Sequence, residues 1–562
     1  MRAAPGSALS VRSLTVGSLL GVVFAGASMY AGTKTGIVDA GNIPAALVAF
    51  TVLSAITRTR PRPEDGNLVQ TVSSSAAAMA LSGGLVGPIA ALSLAGRELA
   101  LPGVIVWGIA IGVLGCLMAI PLRAAFIVRG TLPFPSGTAT AEVLSQVYAG
   151  GATARGRIRW LLGGAVAAAL FTFARSYLGW IPEYTLLPVT LGALPAAAVY
   201  LGVGWSPLLA SLGYLAGPRI AYALVLGSAA AWLGLAPQLV GAGLADPDYG
   251  SLVNWLLWPG VGLMLGGTLG GVVTTWRGLR IGLREVHAAA ATDFRTTRRH
   301  VIALVIAAIA VVALGAAVFG VHPAITVLGL ALSALLCAAA ARAMGETDNT
   351  PAGPLGGFAQ LVVGGAAPGG IDAPLAAGGI VNGTLMHSAM LLQNWKTGAL
   401  IGAPPRPQLI AQLVGVVVGA VASALAFELI RRGYGLGNEA MPAPAAQSWK
   451  ATAELVQHGL SALPAHAPLA AALGLGAGIV LGLGGRFRAV PSPVALGMAF
   501  ILPPYLSVTI ALGGLCHALA ARRYPAHAAV QGIALVSGLI AGEALAGLAI
   551  AALMLAGISA SQ

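Results

Sequence analysis

Charge is what this chain has least of. Asp, Glu, Lys and Arg make up 8% of its 562 residues, against about 25% in a soluble globular domain, so an ordinary water-solvated fold is excluded. Lysine is scarcest, with only Lys34, Lys396 and Lys450. None of them stands in GxxxxGK[ST], so the chain carries no P-loop of its own. HExxH and GxSxG are missing too, which removes two common hydrolase signatures; no catalytic residue, cofactor or metal site is expected, and the chain is not read as an enzyme. The three cysteines, Cys116, Cys337 and Cys516, lie singly in apolar runs without CxxC spacing. They suit neither a disulfide framework nor a zinc site and read as small core residues.

What remains is apolar. Mean hydropathy is +0.87 and 57% of residues are hydrophobic, arranged in repeated runs of about 20, the length that crosses a ~30 Å hydrocarbon core as a helix. With 78 glycines and 34 prolines, the helices should pack closely and break often, as in transporters built from discontinuous helices. The net charge of +13 does not point to nucleic acid, because the arginines gather in short connections between apolar runs, the positive-inside pattern of a multi-pass protein of the cell inner (plasma) membrane. The first run, Leu14 to Tyr30, lacks a small-residue cleavage site and reads as a transmembrane helix rather than a signal peptide.

The expected fold is an all-α polytopic membrane protein with about 14 to 16 transmembrane helices in two related halves with broken or re-entrant helices. The first two spans, near 14–33 and 38–57, lie between Arg2 and Arg12 on one side and Arg58, Arg60 and Arg62 on the other. Further spans are expected near 67–94, 101–122, 158–180, 185–203, 206–236 and 251–276, with Pro207 and Pro218 interrupting the run at 206–236. A basic connection, 277–300, carries six arginines (Arg277, Arg280, Arg284, Arg295, Arg298 and Arg299) and divides an N-terminal half, 1–276, from a C-terminal half, 301–562. The second half has runs near 301–320, 322–343, 376–395, 408–430, 467–484, 492–520 and 528–557, plus a piece at 355–367 too short to span. An internal repeat joins the halves: Ser206-Pro207, Pro218 and Leu226-Gly227 recur as Ser492-Pro493, Pro504 and Leu512-Gly513 at one shared offset of 286 residues. Repeats of this kind place a substrate site between them.

Polar side chains at membrane depth are costly and mark pathways. The densest set lies in 376–412, with Asn382, His387, Gln393, Asn394 and Lys396. Lys396 offers a fixed positive charge to a substrate carboxylate or snorkels to the interface. Gln393, Asn394, Asn382 and, in the weakly polar run that follows Asn67, Gln70 suit a peptide backbone. For coupling, Glu142 titrates or holds a cation, or bonds structurally in a broken helix. Glu346 and Asp348 supply oxygens at a helix break, or belong to a solvated loop. His387 is a second proton carrier or a satisfied structural histidine, and Glu543 in the last span is a weaker candidate.

Six stretches, in order along the chain, resemble the oligopeptide transporter (OPT) family, the superfamily that includes the yellow-stripe metal-chelate transporters. They are PFPSGTATAEVL at 133–144, GYLAGPRI at 213–220, GETDNTPAG at 345–353, QNWKTGALIGAPPRPQLIAQ at 393–412, PSPVALGMAFILPPYLSVTIALGG at 491–514 and SGLIAGEALA at 537–546. The resemblance implies a helical secondary transporter for small peptides or peptide-like metal chelates, coupled to H+. The family's first motif usually has an acid before Gly137, where this chain has Ser136, and its central motif carries acids near Met390 and Asn394, where this chain has none. The expected function is a proton-coupled symporter, with a passive channel or facilitator for a small polar solute as the alternative. Its partners would be a small-molecule or short-peptide substrate, H+ and membrane lipid, with a homodimer admissible and no nucleic acid.

Overall fold

The computed structural model describes residues 9–38, 42–56, 61–130, 132–149, 152–192, 194–293, 298–348, 350–366, 369–459, 463–485, 487 and 489–558. The chain is helical almost throughout. The N-terminal elements are α1 Val11–Thr35, α2 Asn42–Ile56, α3 Pro63–Ser82, α4 Pro88–Leu94, α5 Leu101–Arg123, α6 Pro135–Ala149, α7 Ala152–Thr172, α8 Pro207–Ala216, α9 Pro218–Ser228, α10 Ala236–Gly241 and α11 Tyr249–Asp293. There follow α12 Arg298–Phe319, α13 Pro323–Thr347, α14 Ala352–Ala366, α15 Asp372–Ile401, α16 Pro405–Gly433, α17 Pro444–His458, α18 Ala467–Leu483, α19 Pro493–Met498, α20 Pro504–Arg523, α21 Pro525–His527 and α22 Ile533–Leu555. Most of these helices begin with proline in their first turn, where its missing N–H costs nothing.

Eleven helices among the described residues are long and apolar enough to cross a membrane, and three shorter apolar ones accompany them: Pro44–Ser54, Pro207–Ala216 and Ala467–Leu483. They differ in what surrounds them. In the most apolar window of α15, 94% of residues are buried inside the protein, against 17% for α12. Helix α15 is therefore an axis wrapped by protein, in contact with α3, α5, α6, α13, α14 and α16, and its polar residues need no contact with lipid.

Several expected spans take another form. The described residues of 185–203 form no spanning helix, only a short 3-10 turn at Ala196–Val199. Strand β1 Tyr184–Leu186 pairs antiparallel with β4 Gly202–Gly204, and β2 Thr190–Leu191 pairs with β3 Leu194–Pro195. Pro182, Pro188 and Pro195 forbid a continuous helical ladder there. The segment is apolar because it is a cap that docks on α20: Tyr505 N–H donates to Tyr200 O at 3.2 Å and Gly204 N–H to Thr509 Oγ1 at 2.8 Å. The run at 67–94 is split by residues 83–87 between α3 and α4, and that at 492–520 by 499–503 between α19 and α20. The 355–367 piece is α14, 15 residues and too short to span. The basic connection at 277–300 has its side chains up to residue 297 outside the described residues; its backbone continues α11 to Asp293, and α12 begins at Arg298.

The 286-residue repeat has a local structural counterpart. Ser206 caps α8 by accepting from Leu209 N–H at 3.1 Å, and Ser492 caps α19 by accepting from Ala495 N–H at 3.3 Å. The two broken helices then cross where glycine permits backbone contact: Gly227 lies against the Leu496 carbonyl, and Gly513 against the Ala210 carbonyl. Positions 210 and 227 correspond to 496 and 513 at that offset. The two contacts are therefore one contact with the partners exchanged, as a pseudo-two-fold axis requires.

Candidate functional site

Three helices, α3, α15 and α16, carry a buried file of polar side chains. Gln70 Nε2 donates to Asn394 Oδ1 at 3.0 Å and to Asn42 Oδ1 at 2.9 Å; Asn394 Nδ2 donates to Gln412 Oε1 at 2.8 Å. Gln412 Nε2 reaches His387 Nδ1 at 3.5 Å, and His387 Nε2 lies 2.8 Å from Ser82 Oγ. The Met79 sulfur also lies 2.9 Å from Nε2, and Ser82 Oγ donates to Ala78 O at 2.9 Å. Gln70, His387 and Gln412 are fully buried. Removing one member of such a set leaves its neighbours unsatisfied, at about 1–3 kcal/mol per group.

Beside Leu81, at the end of α3, lies a cavity of about 190 Å³. Asn382 of α15 holds the break open by donating Nδ2 to Leu81 O at 2.9 Å. Around the space stand Gln360 of α14, Thr268 of α11, and Ser448, Trp449 and Thr452 of α17, with Val494 and Met498 of α19 and Gly36 just past α1. The lining thus draws on both parts of the chain, and none of the described residues in it is charged. Trp449 is held by Gln360 Nε2, which donates to its carbonyl at 3.2 Å. A Cβ at Gly87, Gly356 or Gly378 would meet its ring at 3.2, 2.6 and 2.6 Å. Those three glycines exist to admit the indole edge.

The other residues named from the sequence fall into separate places. Gln393, Lys396 and Asp348 meet at the joint between α15 and the start of α6. Asp348 Oδ1 accepts from Ser136 N–H at 2.9 Å and from Gln393 Nε2 at 3.3 Å, its other oxygen accepts from Ser136 Oγ, and Lys396 Nζ donates to Leu132 O at 2.9 Å. Asp348 itself caps α13 in the left-handed region, at φ 65°. Glu346 pairs with Arg342 one turn back at 2.8 Å with its side chain 45% exposed. Glu142 is exposed on α6 and accepts from Gln146 Nε2 at 2.9 Å. Glu543 lies in a fully buried pair with Arg175 at 3.1 Å; it also accepts from Ser206 Oγ at 2.7 Å and from Leu208 N–H at the start of α8 at 2.8 Å. Arg175 is in a π-helical turn, Phe173–Tyr177, at the end of α7.

The structure therefore joins Gln70, Asn394 and His387 in one file, places Asn382 in the cavity and gathers Gln393, Lys396 and Asp348 in a joint. It leaves Glu142, Glu346 and Glu543 apart from these. Sequence reasoning missed Gln412, Ser82, Gln360 and Trp449. The signal for Trp449 was the segment QSWKATAELVQH, too polar to span and too regular for a loop. Among the described residues no three of His, Cys, Asp and Glu come close enough to hold a metal ion.

Comparison with known proteins agrees with this architecture. The family described as OPT oligopeptide transporter protein matches residues 8–554. The chain is 24% identical to a probable metal-nicotianamine transporter of Oryza sativa subsp. japonica, over 98% of this chain and 91% of that protein. It is likewise 24% identical to one of Arabidopsis thaliana, over 98% and 88%. An iron-phytosiderophore transporter of Oryza sativa subsp. japonica is 25% identical over 96% of this chain and 90% of that protein. A match over nearly the whole chain, on a multi-helix apolar protein, places this protein in the OPT oligopeptide transporter family.

Proposed function

We propose that the protein is a secondary active symporter, driven by H+, that carries small peptides or peptide-like metal chelates across the plasma membrane. The observation that carries this reading is the uncharged, amide- and indole-lined cavity beside the break that follows α3. At about 190 Å³ it is smaller than the roughly 300–1,000 Å³ of ordinary ligand pockets. A chelate or tripeptide would enter it only when helices part, which is the behaviour of a carrier and not of a standing pore. The family and the chelate named in the relatives' descriptions support the substrate class. A metal would arrive already wrapped in its ligand, and the cavity would bind the organic shell.

For coupling, Glu346 and Glu543 are engaged by arginines and Asp348 caps two helices, so we assign proton movement to Glu142, which solvent reaches, and His387, which stands in the buried polar file between Ser82 and Gln412. One proton moving down 100 mV releases about 2.3 kcal/mol, enough for roughly 50-fold accumulation. The test is uptake into proteoliposomes. An imposed proton gradient should drive iron–nicotianamine or trialanine above its outside concentration, Asn382→Leu should lower that uptake at least tenfold, and Glu142→Gln or His387→Gln should remove its pH dependence. Equilibration without accumulation would make the protein a channel, and no entry of either solute would end the proposal.

A further inference from the structure

Lys34 is the one lysine whose surroundings leave its charge unanswered. It lies in the last turn of α1 and is 6% exposed. Among the described residues no carboxylate oxygen comes within ion-pair distance of its Nζ and no hydrogen bond satisfies it. Its one close contact is the face of the Tyr30 ring, 5.7 Å from the centroid. Burying an ammonium without a partner is unfavourable, and a cation–π contact returns only part of that loss. Such a group is retained where something else completes it.

The neighbouring acids do not complete it. Glu183, in the cap before β1, feels the Lys34 charge, but its oxygens are taken by Arg175 Nε at 3.2 Å and by Ser176 Oγ. The second acid, Glu543, is bonded on both oxygens by Arg175, Ser206 and Leu208 N–H. Tyr505, at the start of α20 just beyond the break, also lies within the field of Lys34, while its hydroxyl donates to Glu439 O at 3.1 Å. Gly36, two residues after Lys34, lines the cavity and touches Met498 on the other side of the same break. A ligand reaching from the Trp449 surface toward the end of α1 would thus meet a desolvated ammonium flanked by tyrosine rings.

We infer that Lys34 is a carboxylate-binding residue: an anionic carboxylate of the transported solute pairs with its Nζ at the end of the cavity where α1 stops. This deepens the transporter reading and rests on it for the class of ligand. The cavity lining is uncharged and would hold the neutral body of the solute, and Lys34 would select its acidic end.

The experiment uses the full-length protein purified in detergent, with trialanine and trialanine amide as probes and the thermal unfolding midpoint as readout, since a ligand of the folded state raises it. Wild type should respond to trialanine at a concentration about tenfold or more below that needed for the amide. In Lys34→Met the two peptides should become equivalent, and the ligand-free midpoint should hold or rise, because an unpaired buried charge has gone. Lys34→Arg should restore the preference for the acid. Wild type responding alike to both peptides, or to neither, overturns the assignment, as does a preference that survives in Lys34→Met. Acid preference is read without transport: its presence without proton-driven uptake would sink the symporter and keep Lys34, and uphill uptake with no acid preference would do the reverse.

Discussion

Lys34, buried, and Lys396, half-buried, both stand near the ends of long helices, yet their surroundings teach opposite lessons. Lys396 is held by a backbone carbonyl at a crowded joint: Nζ meets Leu132 O, the adjacent Thr397 Oγ1 donates to Gly137 O at 2.8 Å, and Asp348 ties Ser136 and Gln393 together beside it. That charge holds the start of α6 against α15. Among the described residues Lys34 has a ring face, and neither a hydrogen bond nor an ion pair. A charge that is already bonded stabilises a fold, and one that is not is available for a ligand.

The contrast can be broken from the stability side. The largest effect should come from Glu543→Ala, which removes the buried one of the two acids that Arg175 pairs with and leaves Glu183 alone beside it; breaking such a buried pair costs about 3–5 kcal/mol, and the unfolding midpoint of purified protein should drop accordingly. Lys396→Met should cost less, about 1–3 kcal/mol, because it leaves the Leu132 carbonyl without its donor. It should leave the preference for a peptide carboxylate intact, which separates it from Lys34→Met. If Lys396→Met erased that preference and Lys34→Met did not, the roles of the two lysines would have to be exchanged.

The smallest effect concerns the cap that closes over Lys34. The surrounding protein desolvates the Glu183 carboxyl, which by itself would raise its pKa, but Arg175, Lys34 and hydrogen bonds from Ser176 and Arg175 outweigh this and hold it below its ordinary value of 4.5. A carboxyl held low binds fewer protons folded than unfolded, so its contribution is complete above that ordinary value and fades as pH falls through the lower folded one. Proteolysis in the exposed 187–192 hairpin should therefore quicken on acidification below about pH 4.5, and Glu183→Gln should be cleaved at the fast rate at every pH.

Much of this was legible in advance, for reasons that differ by residue. Apolar run length marks α1, α5, α12, α13, α16 and α22, because lipid demands an internally satisfied helix whatever its neighbours. Pro207 and Pro218 announce the interruption at 206–236, since proline removes a donor wherever it stands, whereas the run at 492–520 reads as one span in spite of Pro504. The same rule should have been applied to 185–203, where apolarity was taken for lipid exposure; the segment is apolar because it covers Tyr505 and Thr509. Gln70, Asn394 and His387 could be flagged singly as costly polar groups. That they join through Gln412 could not be read, because Gln70 and Asn394 are 324 positions apart and nothing local states which helix faces which.

The sequence by itself determined the solvent of this protein, its helical construction, its breaks and its family, because hydropathy, backbone satisfaction and proline geometry act within a few residues of their cause. Only the tertiary structure decided which polar group is finished and which is waiting. Lys396 and Lys34 look equally costly as letters in an apolar chain, and they differ only in whether a distant carbonyl arrives within 3 Å or so, a fact created by packing.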